Sequence, residues 1–210
     1  MKRGVTFLWV MILFLMFGVA WGEDVNPPPW SRSDPGATYQ QWEFGTDDNP
    51  VGPDVVDNLA GEPLVSITGG FIDNTFHYDE YAGHFGVWGF EDEMIATIPN
   101  FGNKNPLKEI QVQITFWADG IANLSALPAG DDGKYAVMDQ GATTDLGGGW
   151  YQATFTASIQ PNPISEEISI SPAECTLYVD ELVVDTICIP EPATVLLLGL
   201  GGLGLLRRRR

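Results

Sequence analysis

The sequence predicts an all-β protein, an antiparallel β-sandwich of jelly-roll type, with a signal peptide before it and a C-terminal apolar helix after it. Three observations predict it. Apolar and polar residues alternate singly along several stretches, which places them on opposite faces of a strand. Glycine is frequent, at 24 of 210 residues, and Asp, Asn, Gly and Pro cluster between those stretches as turns. No stretch of the body repeats its apolar residues with the 3.6-residue period of a helix.

At the start, Lys2 and Arg3 precede the apolar run Val5 to Val19, and Ala20-Trp21-Gly22 puts small residues where signal peptidase cuts. Residues 1–22 therefore read as a secretory signal removed before Glu23. Residues 23–37 hold Pro27-Pro28-Pro29 and Asp34-Pro35-Gly36, a composition that reads as an extended lead-in that does not pack.

Residues 38–189 form the predicted sandwich, long enough for one core and too short for two. Trp42 and Phe44 flank Glu43 on a first strand, and Leu64 to Thr68 is a short β-branched strand closed by Gly69-Gly70. Phe85 to Phe90 and Met94 to Ile98 are expected to pair as a hairpin. From Leu107 to Trp117, Ile110, Val112, Ile114 and Phe116 alternate with Glu109, Gln111, Gln113 and Thr115, so one face is core and the other is expected to be wet. Trp150 to Ile159 repeats that pattern, and Ser165 to Ile170 and Thr176 to Ile187 bring the total to about eight strands. In the last, the alternation slips by one between Val179 and Leu182, which predicts a bulge at Asp180-Glu181.

Of the chain's 28 acidic residues all but Glu191 lie in the body, against only Arg32, Lys104, Lys108 and Lys134. Such a surface repels phosphate backbones and excludes nucleic acid as a partner. Cys175 and Cys188 belong to a chain sent to an oxidising compartment. If Thr176 to Ile187 is one strand, their sulfurs are on the order of 40 Å apart and free of each other; only a turn at Asp180-Glu181 would bring them close.

The C-terminus carries Pro190-Glu191-Pro192, the uncharged Leu- and Gly-rich run Ala193 to Leu206, and Arg207, Arg208, Arg209 and Arg210. The run rises only about 21 Å as a helix against a hydrocarbon core of about 30 Å, so it spans only with snorkelling help from the arginines, which hold that end in the cytoplasm. These three parts, in this order, resemble the PEP-CTERM sorting signal of exported bacterial proteins. The resemblance implies that residues 190–210 are read by a membrane-embedded exosortase, which removes the tail and passes the protein to the cell surface or an exopolysaccharide matrix. An unprocessed tail anchor is the alternative.

The last strand, together with the first strand around Trp42-Glu43-Phe44, resembles the galactose-binding-like jelly rolls of many carbohydrate-binding modules. That resemblance implies a structural calcium held by Glu43 and Asp180, with Asp47 and Asp48 close in sequence, since calcium takes clustered carboxylate and carbonyl oxygens. Sugar binding would use exposed aromatics as apolar platforms, with Tyr78, Tyr81, Trp88 and Trp117 as candidates. His77, Asp79, Glu80 and His84 form the one constellation that resembles a catalytic or zinc site, but their spacing matches no closed zinc motif and the stretch reads as a tyrosine-rich loop. Asp131-Asp132 and Glu166-Glu167 point apart on a strand and make poor two-carboxylate hydrolase pairs. The function expected is therefore a non-enzymatic, structural or adhesive protein of the envelope or extracellular matrix. The alternatives are a carbohydrate-binding module with calcium and, more remotely, a hydrolase or metalloenzyme using His77 and His84.

Overall fold

The computed structural model describes residues 25–68, 75–100, 107–117, 125–130, 138–172 and 176–189. The signal peptide, the sorting tail with Pro190 to Arg210, and Cys175 lie outside them. Among the described residues there are twelve strands and no helix: β1 (Ala37–Trp42), β2 (Val55–Asp57), β3 (Leu64–Thr68), β4 (Thr75–Tyr81), β5 (His84–Phe90), β6 (Glu93–Pro99), β7 (Leu107–Trp117), β8 (Ser125–Gly130), β9 (Asp139–Gly147), β10 (Trp150–Ile159), β11 (Ser165–Ser171) and β12 (Leu177–Ile189).

All pairings are antiparallel. The larger sheet runs β2-β1-β12-β7-β10-β9, and the smaller runs β3-β6-β11-β8. On the side of β12 away from β7, β1 pairs with its later part and β5 with Leu177 to Val179; β4 lies beyond β5. From β5 to β12 the chain passes repeatedly between the sheets, the winding of a jelly roll. The core lies between the sheets, where Trp42, Phe90, Ile114 and Phe155 of the larger sheet meet Met94, Ile98 and Ile168 of the smaller.

Gly86 lets β5 begin where β1 ends. Its φ is +72°, and a Cβ there would stand 2.6 Å from the carbonyl oxygens of Glu43 and Phe44, so the close approach requires glycine.

The strand at Leu107–Trp117, the strand at Trp150–Ile159 and the single long β12 are as the alternation predicts, and the β12–β7 register shifts between Val179 and Glu181 at the expected bulge. Cys188 is buried near the end of that strand, with its Sγ 3.6 Å from Asn162 Oδ1. Four expectations are corrected. The stretch around Phe76 to Tyr81 is a strand, not a loop; it forms a hairpin with β5 through Ala82 (φ 48°) and Gly83 (φ 86°). β5 and β6 do not pair with each other. They enter different sheets, which lets Trp88 and Phe90 face Met94, Ala96 and Ile98 across the core, whereas a hairpin would have put both sets on one side.

The polar face of β7 is not wet, and the lead-in does pack. The Asn26 amide N–H donates to Gln113 Oε1 at 3.0 Å, Asn26 Nδ2 donates to Thr154 at 3.1 Å, and Gln111 Nε2 donates to the Asn26 carbonyl at 2.6 Å. Arg32 then clamps the buried Asp185 with two bonds of 2.6 and 2.8 Å while its guanidinium lies 3.7 Å over the Tyr39 ring. Polar pairing straps residues 26–32 across the outer face of the larger sheet, with Trp30 half-buried between the two anchor points.

Candidate functional site

The strap covers one end of that outer face; aromatic side chains occupy the other. β4 contributes Tyr78 and Tyr81, β12 contributes Tyr178, and β7 contributes Trp117. Tyr81 and Tyr178 stack at 4.2 Å with planes 9° apart, and Trp117 sets its edge against both, at 5.4 and 5.7 Å. Tyr78 leans on Tyr81 and Tyr178 at 5.3 and 5.9 Å. All four are half-buried, so each ring packs on its neighbours and still reaches solvent.

Two glycines make room for the rings. A Cβ at Gly89 would lie 3.0 Å from the Tyr178 ring and 3.3 Å from Tyr78, so a bare backbone floors the cluster. At Gly149 the φ is +90° and a Cβ would come within 2.5 Å of Trp117 Nε1; Trp117 Nε1 itself donates to the Gly148 carbonyl at 3.3 Å.

Polar groups rim the cluster. His84 stacks at 4.0 Å on the buried Trp150, whose Nε1 donates to the Ala82 carbonyl at 3.1 Å, and His84 Nδ1 meets Asp180 Oδ2 at 2.8 Å. Burial pushes the Asp180 carboxyl up, with the bond to His84 pulling it down. Behind it, Glu181 accepts from Gln41 at 2.6 Å and from Thr115 at 3.3 Å. Burial, and the charges of Asp180 and Glu43, push its carboxyl up to about 7. Burial also raises the phenols of Tyr178 and Tyr78, which keeps both as neutral hydrogen-bonding groups.

Of the aromatics expected to bind sugar, the fold gathers Tyr78, Tyr81 and Trp117 and removes Trp88, which is 5 % exposed and packs in the core. His77 and Trp88 are cross-strand partners, so parity sends Trp88 inward with Phe90. Tyr178 was the missing member; its position opposite in parity to Leu177 and Val179 is the sequence signal for it.

His77 and His84 do not share a site. His77 Nε2 bonds the Phe44 carbonyl at 2.7 Å and its ring sits edge-on to Trp88. With Asp47, Asp79 and Phe76 it lines a separate open groove. Glu80 is exposed on the hairpin. Nor are the four carboxylates expected to share calcium drawn together. Asp180 serves His84, Glu43 lies beside Glu181 and Gln41, Asp48 accepts from Thr46 at 3.1 Å, and Asp47 faces the groove. Among the described residues no three or more His, Cys, Asp or Glu side chains converge as metal ligands.

Among solved structures, the chain is similar to a CBM35 from Cellvibrio japonicus, with 13% identity over 70% of this chain and 91% of that one and a TM-score of 0.34. It is also similar to the CBM22-1 xylan-binding domain from Paenibacillus barcinonensis, with 12% identity over 72% of this chain and 94% of that one and a TM-score of 0.37. No curated protein sequence matches it. Residues 189–210 match the family model of the PEP-CTERM protein-sorting motif. The chain is thus an exported protein that carries a PEP-CTERM sorting signal, anchored transiently in the membrane and sorted to the cell surface.

Proposed function

We propose that the protein is a non-enzymatic, adhesive component of the cell surface or extracellular matrix that holds glycan on the outer face of its larger sheet. The observation that carries this reading is the cluster of Tyr78, Tyr81, Tyr178 and Trp117, four half-exposed rings drawn from three strands and placed beside the His84–Asp180 pair. Rings stack on the apolar faces of sugars, and carboxylate, imidazole and phenol groups at the rim bond their hydroxyls. Export to the cell surface supports the reading, since extracellular polysaccharide is a ligand met there.

Affinity electrophoresis through gels of the host's own exopolysaccharide tests it. Wild type is expected to be retarded, and Tyr178→Ala and Trp117→Ala each to lose at least about tenfold in affinity, the effect of removing a central ring. Free migration of the wild type, or retention untouched by both variants, would sink the assignment.

A further inference from the structure

Between the two sheets, far from solvent, sit a primary amine, a primary amide and a carboxyl that no glycan-binding role uses. Lys108 of β7 is on the core face by parity with Ile110 and Val112, and both it and Glu166 of β11 are 0 % exposed. Asn100 follows β6 and is 8 % exposed. Lys108 Nζ contacts Glu166 Oε1 at 2.6 Å and donates to Asn100 Oδ1, while Asn100 Nδ2 donates to Glu166 Oε2 and, at 3.1 Å, to the Pro163 carbonyl. The surroundings are apolar, with Ile98, Ile110 and Ile168 adjoining these residues along their own strands and fully or almost fully buried.

We propose that Lys108 and Asn100 join covalently, forming an intramolecular isopeptide bond between the two sheets with Glu166 as the proton relay. The arrangement supplies each part. The amine lies against the carbonyl of the amide it would attack, and the two oxygens of one carboxyl face the attacking nitrogen and the leaving nitrogen. Burial pushes the Glu166 carboxyl up while Lys108 and Asn100 pull it down, and taking two charges out of water is costly, so the step is written from the uncharged pair. Neutral Nζ adds to Asn100 Cγ. One Nζ proton passes to Oε1 of Glu166 as a proton from Oε2 passes to Nδ2, the Cγ–Nδ2 bond breaks and ammonia leaves. The product is a secondary amide; Glu166 ends as it began, and no oxidant, metal or cofactor is consumed. Fixed neighbours in a buried site react at high effective concentration, and proton transfer by a placed carboxyl adds to that.

The position suits a protein held by its C-terminus. Cys188 and Ile189, the last residues before the sorting tail, pair with Lys108 and Leu107, so tension from an anchored tail enters the sandwich at the rung that carries the bond.

Peptide mapping of the full chain decides it. Trypsin cutting after Lys104 separates Asn100 from Lys108 unless they are joined, and a bonded Lys108 is not cut. The expected result is one branched species uniting residues 33–104 with residues 105–134, lighter than their sum by one ammonia. Lys108→Arg and Glu166→Gln are expected to give separate peptides of full mass, and the wild-type map stands whether or not these variants fold. Separate wild-type peptides with cleavage after Lys108 would overturn the proposal. So would loss of ammonia without the branched species, which marks cyclisation of another asparagine. A folded Glu166→Gln protein that still forms the bond in full would remove the relay.

Discussion

At the scale of single residues, Glu181 makes folding depend on pH. Its carboxyl titrates near 7 in the folded chain against 4.5 for the ordinary group. A raised folded value means the folded state keeps a proton that the unfolded chain has lost, so its stability contribution is full below about 4.5 and gone above about 7. Stability should fall across that window by up to about 1.4 kcal/mol per pH unit, on the order of 3 kcal/mol in all. Glu181→Gln, which keeps the shape and the bonds to Gln41 and Thr115, should flatten that slope in urea titrations at pH 5 and pH 8; an unchanged slope would assign the dependence to other groups. Gly149→Ala tests the cluster at the same scale. The substitution forces a side chain onto a φ of +90° and into Trp117, so it should cost about 1–3 kcal/mol and weaken glycan retention by displacing that ring.

At the scale of elements, the strap and the last strand depend on each other. Asp185 on β12 is fully buried and Arg32 of the strap clamps it. Arg32→Ala takes away its bidentate partner; because solvent already reaches Arg32, the loss should be on the order of 2–3 kcal/mol, the low end for a buried pair. It should also speed hydrogen exchange at Gln111, Gln113 and Thr154, whose face the strap covers. Exchange unchanged at those amides would mean that the strap stays docked through Asn26 alone. The bulge in β12 is the other element-scale device, since without the register shift after Val179 the parity of Tyr178 and that of Glu181 would not both serve the outer face.

For the whole molecule, the last described residues, Cys188 and Ile189, end beside the buried triad. Intact mass of protein from the envelope and from the medium should show loss of the residues after the Pro190-Glu191-Pro192 region, and replacement of Glu191 by Ala should leave Arg210 in place on a membrane-bound form. Full-length wild-type protein in both fractions would mean an unprocessed anchor. If Lys108 and Asn100 are joined, Lys108→Arg should lower the midpoint of thermal unfolding even where its fold is intact, because a cross-link between sheets restricts the unfolded chain.

Local physics made much of this legible. Period-two alternation reveals strands such as Leu107–Trp117 because one face must meet the core, and the slipped alternation in β12 reveals its bulge for the same reason. The sorting tail is legible because charge and hydropathy act on it without a fold. Alternation cannot say which sheet a strand joins, so Phe85 to Phe90 and Met94 to Ile98 looked like partners when they face each other across the core. It cannot say what covers a polar face, because the strap over Gln111 and Gln113 comes from a stretch with no strand signal of its own. Trp88 went to the core and Tyr178 joined the platform for a related reason: an aromatic side chain suits either place, and only the pairing of β5 with β12 decides which. The sequence by itself determined the destination of the chain, its all-β class and its acidic surface, since these follow from composition and near neighbours. Only the tertiary structure decided the aromatic face and the Lys108–Asn100–Glu166 triad, because the rings are brought together by the pairing of β4, β5, β12 and β7, and Glu166 of β11 meets Lys108 only when the two sheets close on each other.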